Sequence, residues 1–418
     1  MNWFGIIPTT WETRPLWTVM RPRKNKNSDG KEQNLLSLSY GRIIRKSIDT
    51  ATGLLPESFN GYNIIEADDI VLRLTDLQND MRSLRTGLVK EHGIITSAYL
   101  TLIPKEEYSS TYFHYVLHAY DILKGFYNMG EGIRQGLGYD ELSRLILPVP
   151  SFSEQSRIAT FLDERCGKID EAIAKHKALI EKLDEYRKGI ITEAVTGGTF
   201  YNEETKDLPK GWTLCRIKNL LSPSKEGIKI GPFGSSLTGK VLGDAEYKVY
   251  GQWNIVGKDF SAGKNYVNED TFKALYSYVV VEGDVLISMM GTIGKCTIIP
   301  SGIQPGIMDS HVIKARLNSL ILPRFFEYEY DKDNSHYVFK QMLVNRTGSI
   351  MDGLNSTVVK NLHFLLPPLA EQQKIVAYLD EKCAAIDSAK ERHAQLIAKL
   401  EEYKKSLIYN AVTGKIEC

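Results

Sequence analysis

Cysteine is scarce in this sequence and has the wrong spacing for metal or disulfide chemistry. The five residues, Cys166, Cys215, Cys296, Cys383 and Cys418, are odd in number and include no C-x-x-C pair, which argues against a disulfide framework and a zinc site alike. They read as reduced thiols. Long apolar runs are missing as well: none approaches the roughly 20 residues of a bilayer span, and Met1 to Thr10 lack the basic and then apolar order of an export signal. These absences predict a cytoplasmic protein. Charge of one sign is not in excess, since 52 Lys and Arg against 51 Asp and Glu leave a net +1. Nucleic acid would therefore have to be held by local patches, not by the field of the whole chain.

Catalytic signatures are absent too. Gly227, Gly231 and Gly234 do not form G-x-G-x-x-G, and Thr238-Gly239-Lys240 lacks the rest of a phosphate-binding loop. Leu366-Pro367-Pro368-Leu369 has neither the polar first residue nor the aromatic last residue with which an adenine methyltransferase holds a flipped base. Glu327, Glu329 and Asp331 beside Lys332 read as a common helix cluster, not a nuclease centre. The expectation is a non-catalytic chain with no metal and no cofactor of its own.

What the chain does have is a repeat. The segment from Pro150 to Gly197 recurs without a gap from Pro367 to Gly414. The match takes in Glu154-Gln155 with Glu371-Gln372, Leu162-Asp163-Glu164 with Leu379-Asp380-Glu381, Cys166 with Cys383, and Ala194-Val195-Thr196-Gly197 with Ala411-Val412-Thr413-Gly414. A proline leads into each copy, Ser153 is available as an N-cap in the first, and a glycine follows the last apolar residue, so each copy predicts one long helix. Leu162, Ile169, His176, Ile180, Leu183, Tyr186 and Ile190 step mostly by three and four, as do Leu379, Ile386, His393, Ile397, Leu400, Tyr403 and Leu407. Such a stripe packs along another helix. The helix-helix spacer is assigned to Leu162, Ile169, Ile180, Leu183, Leu379, Ile386, Ile397 and Leu400, with His176 and His393 as packed residues rather than ligands or bases.

Each helix follows a globular segment, and the two segments open alike: Ile7-Pro8-Thr9-Thr10-Trp11 resembles Leu208-Pro209-Lys210-Gly211-Trp212. Beyond that opening they differ in length and in nearly all side chains. Short β-rich runs punctuated by Gly, Pro, Asn and Asp are expected at Ile70 to Leu74, Ala98 to Ile103, Tyr278 to Val281, Asp284 to Met289, Cys296 to Ile299 and Val312 to Leu317, with helix near Thr111 to Tyr127 and Pro323 to Leu343. The fold class is α+β: two mixed, β-rich domains joined by two long antiparallel coiled-coil helices with pseudo-twofold symmetry. Residues 1–147 and 199–364 are the globular domains, and 148–198 and 365–418 are the helical spacers.

Candidate DNA contacts are the basic, amide, hydroxyl and aromatic residues of patches and loops, which can position on phosphates or reach base edges. They are Arg21, Arg23, Lys24, Lys26, Tyr40, Arg42, Arg82 and Arg85 in the first domain. In the second they are Lys225, Lys229, Ser235, Ser236, Lys240, Gln252, Asn254 and Lys295. The same residues also read as solvated faces and ordinary surface turns.

The doubled E-Q-x-x-I-x-x-x-L-D-E helix start, the doubled A-V-T-G exit, Gly283-Asp-Val-Leu-Ile-Ser-Met-Met-Gly-Thr-Ile-Gly-Lys295, Met308-Asp309-Ser310-His311 and the Ile7 to Trp11 opening together resemble type I restriction-modification specificity subunits. The resemblance covers essentially the whole chain. It implies that each globular domain is a target recognition domain reading one half of an asymmetric, bipartite double-stranded DNA target. It further implies two methylation subunits and two restriction subunits as partners, docked through Glu154, Gln155, Glu371 and Gln372, with S-adenosylmethionine, ATP and Mg²⁺ on those partners. The competing reading from the residues alone is a coiled-coil scaffold whose globular heads bind protein.

Overall fold

The computed structural model describes residues 3–47, 58–77, 84–129, 136–198, 208–224, 227–233, 236–237, 240–242, 246–344 and 354–418. The chain separates into two compact units, Met1–Lys177 with Ala394–Cys418, and Ala178–His393. The division passes through both long helices, so each unit is a globular head with half of each helix. Among the described residues no helix is long and apolar enough to cross a membrane.

The first unit begins and ends its head as a ribbon, Glu12–Pro15 pairing antiparallel with Ile146–Val149. Between them an antiparallel sheet runs in the order Met20–Pro22, Leu100–Pro104, Ile70–Leu72, Thr86–Leu88, and helix Ser110–Ile122 packs on it. Ile70, Val71 and Leu72 are buried on both faces of the sheet, which explains an unbroken apolar run where a one-faced strand would alternate. The second unit repeats the ribbon with Thr213–Arg216 against His363–Leu366. Its head holds two four-stranded sheets. One is antiparallel, in the order Ile228–Ile230, Val312–Ala315, Val285–Ser288, Cys296–Ile298; in the other, Tyr247–Tyr250 pairs parallel with Gly306–Met308.

The repeats form helices Phe152–Thr196 and Leu369–Val412, of 45 and 44 residues. At 3.6 residues per turn the longer makes about 12 turns. In the first unit Ile158, Leu162, Cys166, Ile169 and Ile173 share a core with Ile397, Leu400, Leu407, Ile408 and Ala411. In the second, Leu183, Ile190, Ile191 and Val195 share one with Leu379, Cys383 and Ile386. In the second unit Asp184 takes Lys390 at 2.5 Å and Arg187 lies 3.8 Å from Asp387; in the first Asp170 takes Lys404 at 2.7 Å, and Glu154 and Arg157 lie beside Gly414 to Cys418. Within each unit partner numbers fall as helix numbers rise, so the pairing is antiparallel.

Several local expectations change. The first long helix is capped by Ser151, whose hydroxyl accepts from the Glu154 N–H at 3.3 Å, while Ser153 lies within the helix. The expected helix from Pro323 to Leu343 is two, Pro323–Tyr330 and Tyr337–Val344. Asp331 leaves the helical region at ψ 124° and turns its carboxylate to the N–H groups of Cys296 and Asp333. Tyr278 to Val281 is no strand but the end of a 3-10 turn with a single bridge from Val279 to Ile307. Tyr186 and Tyr403 are exposed rather than packed in the helical seam, and His176 and His393 are half-buried.

Candidate nucleic-acid interface

Basic side chains in the first head fall into two kinds. Arg21, Lys24 and Lys26 are exposed on and after an edge strand, and Tyr40, also exposed, tops the hairpin Leu36–Ser39 to Arg42–Arg45 at φ 46°. Arg42 is exposed and bridges to Asp170 of the long helix at 3.0 Å. The other kind is internal. Arg23 is paired with the buried Asp69 at 2.5 Å, whose carboxyl burial holds above its ordinary pKa despite the arginine. Arg85 is fully buried, donating to the carbonyls of Arg73, Thr75 and Asp76 and to the Tyr127 hydroxyl. Its assignment to DNA is corrected: the guanidinium ties loops inside the head and no phosphate can reach it. Arg82 lies outside the described residues.

The second head shows the same split. Ser236 is exposed, Gln252 accepts from the Met290 N–H at 3.3 Å, and the Lys229 ammonium sits 4.2 Å from the centre of the Tyr278 ring. Asn254 is fully buried and ties Gly251, Asp259 and Ala262 into one turn, so it is corrected from base reader to loop staple. Lys295 is largely covered and ion-paired with Asp333, which fastens the Gly283 to Lys295 motif internally. Lys225 and Ser235 lie outside the described residues, as does the Lys240 side chain. Sequence reasoning passed over the exposed aromatics Trp17, Phe233, Trp253 and Tyr276. Phe233 carried a signal, since an aromatic between Pro232 and Gly234 has little apolar context to bury it.

Carboxylates near the end of Pro323–Tyr330 are internal. Glu327 accepts from Lys258 and Arg324, both at 2.6 Å, and Glu329 accepts from the Leu365 N–H at 2.8 Å while burial holds its carboxyl well above the usual range. Among the described residues no group of three or more His, Cys, Asp or Glu is placed to hold a metal ion.

Gln155 and Gln372 are corrected as partner contacts, because both are buried and hydrogen-bonded within their own units. Gln155 accepts from the Ser109 N–H and donates to the Pro150 carbonyl, both at 2.9 Å. Gln372 accepts from the Leu322 N–H and donates to the Pro367 carbonyl, again at 2.9 Å. Ser109 and Leu322 are the N-caps of Ser110–Ile122 and Pro323–Tyr330. Further along the same helices the Tyr115 hydroxyl donates to Asp163 at 2.7 Å and the Tyr328 hydroxyl to Asp380 at 2.6 Å. Each head thus meets its long helix through the same two contacts.

A family model described as the type I restriction modification DNA specificity domain matches residues 225–398. The chain is 24% identical over 280 residues to the type I restriction enzyme StySPI specificity subunit of Salmonella potsdam, a match spanning 65% of this chain and 57% of that relative. It is 22% identical over 436 residues to the MjaX specificity subunit of Methanocaldococcus jannaschii, covering 99% of this chain and 95% of the other. Its fold is shared with a chain from a structural study of complex assembly and conformational transition in the type I R-M system, at TM-score 0.73 and 15% identity, over 98% of this chain and 100% of that one. With two unlike heads on two repeated helices and these likenesses along its length, the chain is similar to type I restriction enzyme specificity subunits in sequence and shares the fold of a type I R-M chain.

Proposed function

We propose that the chain is the DNA-reading, non-catalytic subunit of a type I restriction-modification enzyme, working in the cytoplasm, and that each head reads one half of an asymmetric, bipartite target. The observation that carries this is the contrast between two repeated helices with one repeated joint and two heads that differ in sheet topology. Unlike heads imply unlike half-sites. Arg21, Lys24 and Lys26 are exposed and can neutralise phosphates, Lys26 from a contact with the Gly61 carbonyl at 3.3 Å, and Tyr40, Ser236 and Gln252 are exposed or half-exposed positions from which base edges can be met.

The long helices also leave apolar side chains in water at repeated places: Phe152 with Leu369, Leu179 with Leu396, and Tyr186 with Tyr403 are exposed. Surfaces of this kind suit helices of other subunits. We assign them to two methylation subunits, with two restriction subunits completing the enzyme, and we place S-adenosylmethionine, ATP and Mg²⁺ chemistry on those partners. Methylome sequencing of a host carrying this chain with its methylating partner tests the proposal. One asymmetric motif with a fixed unread gap is expected, whereas a protein-binding scaffold would leave no chain-dependent motif.

A further inference from the structure

We infer that Tyr115 and Tyr328, through Asp163 and Asp380, are positioning residues that fix the angle of each head on its helix and so decide how strictly the unread gap is counted. The inference rests on the DNA-reading function proposed above. In each unit the glutamine is one point of attachment, at the N-cap of the head's helix, and the tyrosine is a second point six residues on. One point leaves a pivot. Two points fix a direction.

The apolar contact beneath them does not supply that direction by itself. Tyr112, Phe113 and Tyr115 pack with Ile158, Ala159 and Leu162 in the first unit, but burial of apolar surface is non-directional and tolerates small rotations. Hydrogen bonds to a carboxylate are directional and strong for their class. The heads have diverged around this contact and kept it. Along the first eight residues of Ser110–Ile122 and Pro323–Tyr330, Phe113 recurs as Phe326 and Tyr115 as Tyr328, and the other six positions differ.

The two joints are not equal. Asp380 also receives Arg324 at 2.9 Å, and Arg324 stands where the first head has Thr111. Asp380 therefore keeps a second donor when the tyrosine hydroxyl is removed, whereas the first head's other ion pair, Arg42 with Asp170, is made by an exposed arginine seven residues further along the helix, so loss of the hydroxyl should loosen the first head more.

The experiment uses the complete chain with its methylating partner on a DNA library in which the two half-sites are separated by variable gaps, read by methylation at each gap. Tyr115→Phe should keep the half-site bases but raise methylation at gaps one base pair longer or shorter by about tenfold, the factor one net hydrogen bond to a charged group carries. Tyr328→Phe should raise it less. Asp380→Asn, which keeps an acceptor for Tyr328, should stay closer to wild type than Asp380→Leu. Melting temperature is followed in parallel, since a merely structural contact would lower it without broadening the gap. An unchanged gap distribution in Tyr115→Phe and Asp380→Leu would overturn the inference while leaving the DNA-reading function standing. A wild-type complex with no bipartite target would overturn both.

Discussion

Arginine on a sheet edge and arginine beneath a sheet are the same letter in sequence, and only burial separates Arg21 from Arg85. Arg85→Met would leave the carbonyls of Thr75 and Asp76 without their guanidinium donors, so a loss of about 3 kcal/mol is expected in chemical denaturation. Its effect on DNA affinity should follow that loss of folding. Arg21→Ala and Lys24→Ala should leave denaturation unchanged and each lower the slope of log affinity against log salt by about 1. The same ambiguity misplaced Asn254, Gln155 and Gln372, whose amides serve their own backbone. Two histidines add a pH dependence. Burial first, then the Lys90 charge, lowers His114 to about 4, and burial, then His114 and Lys404, lowers His118 to about 3. Below the ordinary histidine value of about 6.5 the unfolded chain takes up protons that the folded head refuses, so stability falls as pH drops from about 6.5 towards 4. His114→Gln/His118→Gln should flatten that part of the stability curve relative to wild type, and an equal slope in both proteins would refute the assignment.

At the scale of elements, the long helices were legible because repetition, proline before and glycine after all pointed the same way. Gly197 and Gly414 adopt φ 61° and 68°, the left-handed conformation that ends a helix most cheaply on glycine, and a Cβ on either would collide with a proline ring at the opening of a head, Pro209 of the second for Gly197 and Pro8 of the first for Gly414. The seam was partly misread: Tyr186 and Tyr403 fit the three-four stepping yet stand in water, because periodicity alone does not say how wide the buried stripe is. Leu162 is fully buried, so Leu162→Ala should cost about 2–5 kcal/mol. The Asp170 to Lys404 pair is only partly covered, and Lys404→Met should cost less than about 1 kcal/mol in the same denaturation assay. The head–helix joint escaped notice because its tyrosines sit in the divergent segments and its partners in the repeated ones.

At the scale of the whole molecule, a sequence that contains its own comparison says which parts are free to change. Heads vary in length and topology, while the helices keep their register and the joints keep their contacts; on the proposed function, bases are read by what varies and separation is set by what is repeated. Lengthening both long helices by one heptad should therefore alter the unread gap and leave each half-site intact, as read by methylation of gap-variant duplexes. The specific bases were not legible, because the loops that differ between heads have no second copy against which to judge them. One-head-one-half-site reading is tested most directly by replacing residues 199–364 with a second copy of residues 1–147 and sequencing the methylome of a host carrying that chain with its methylating partner. A palindromic target built from two copies of one half-site is predicted; retention of the asymmetric target would contradict it.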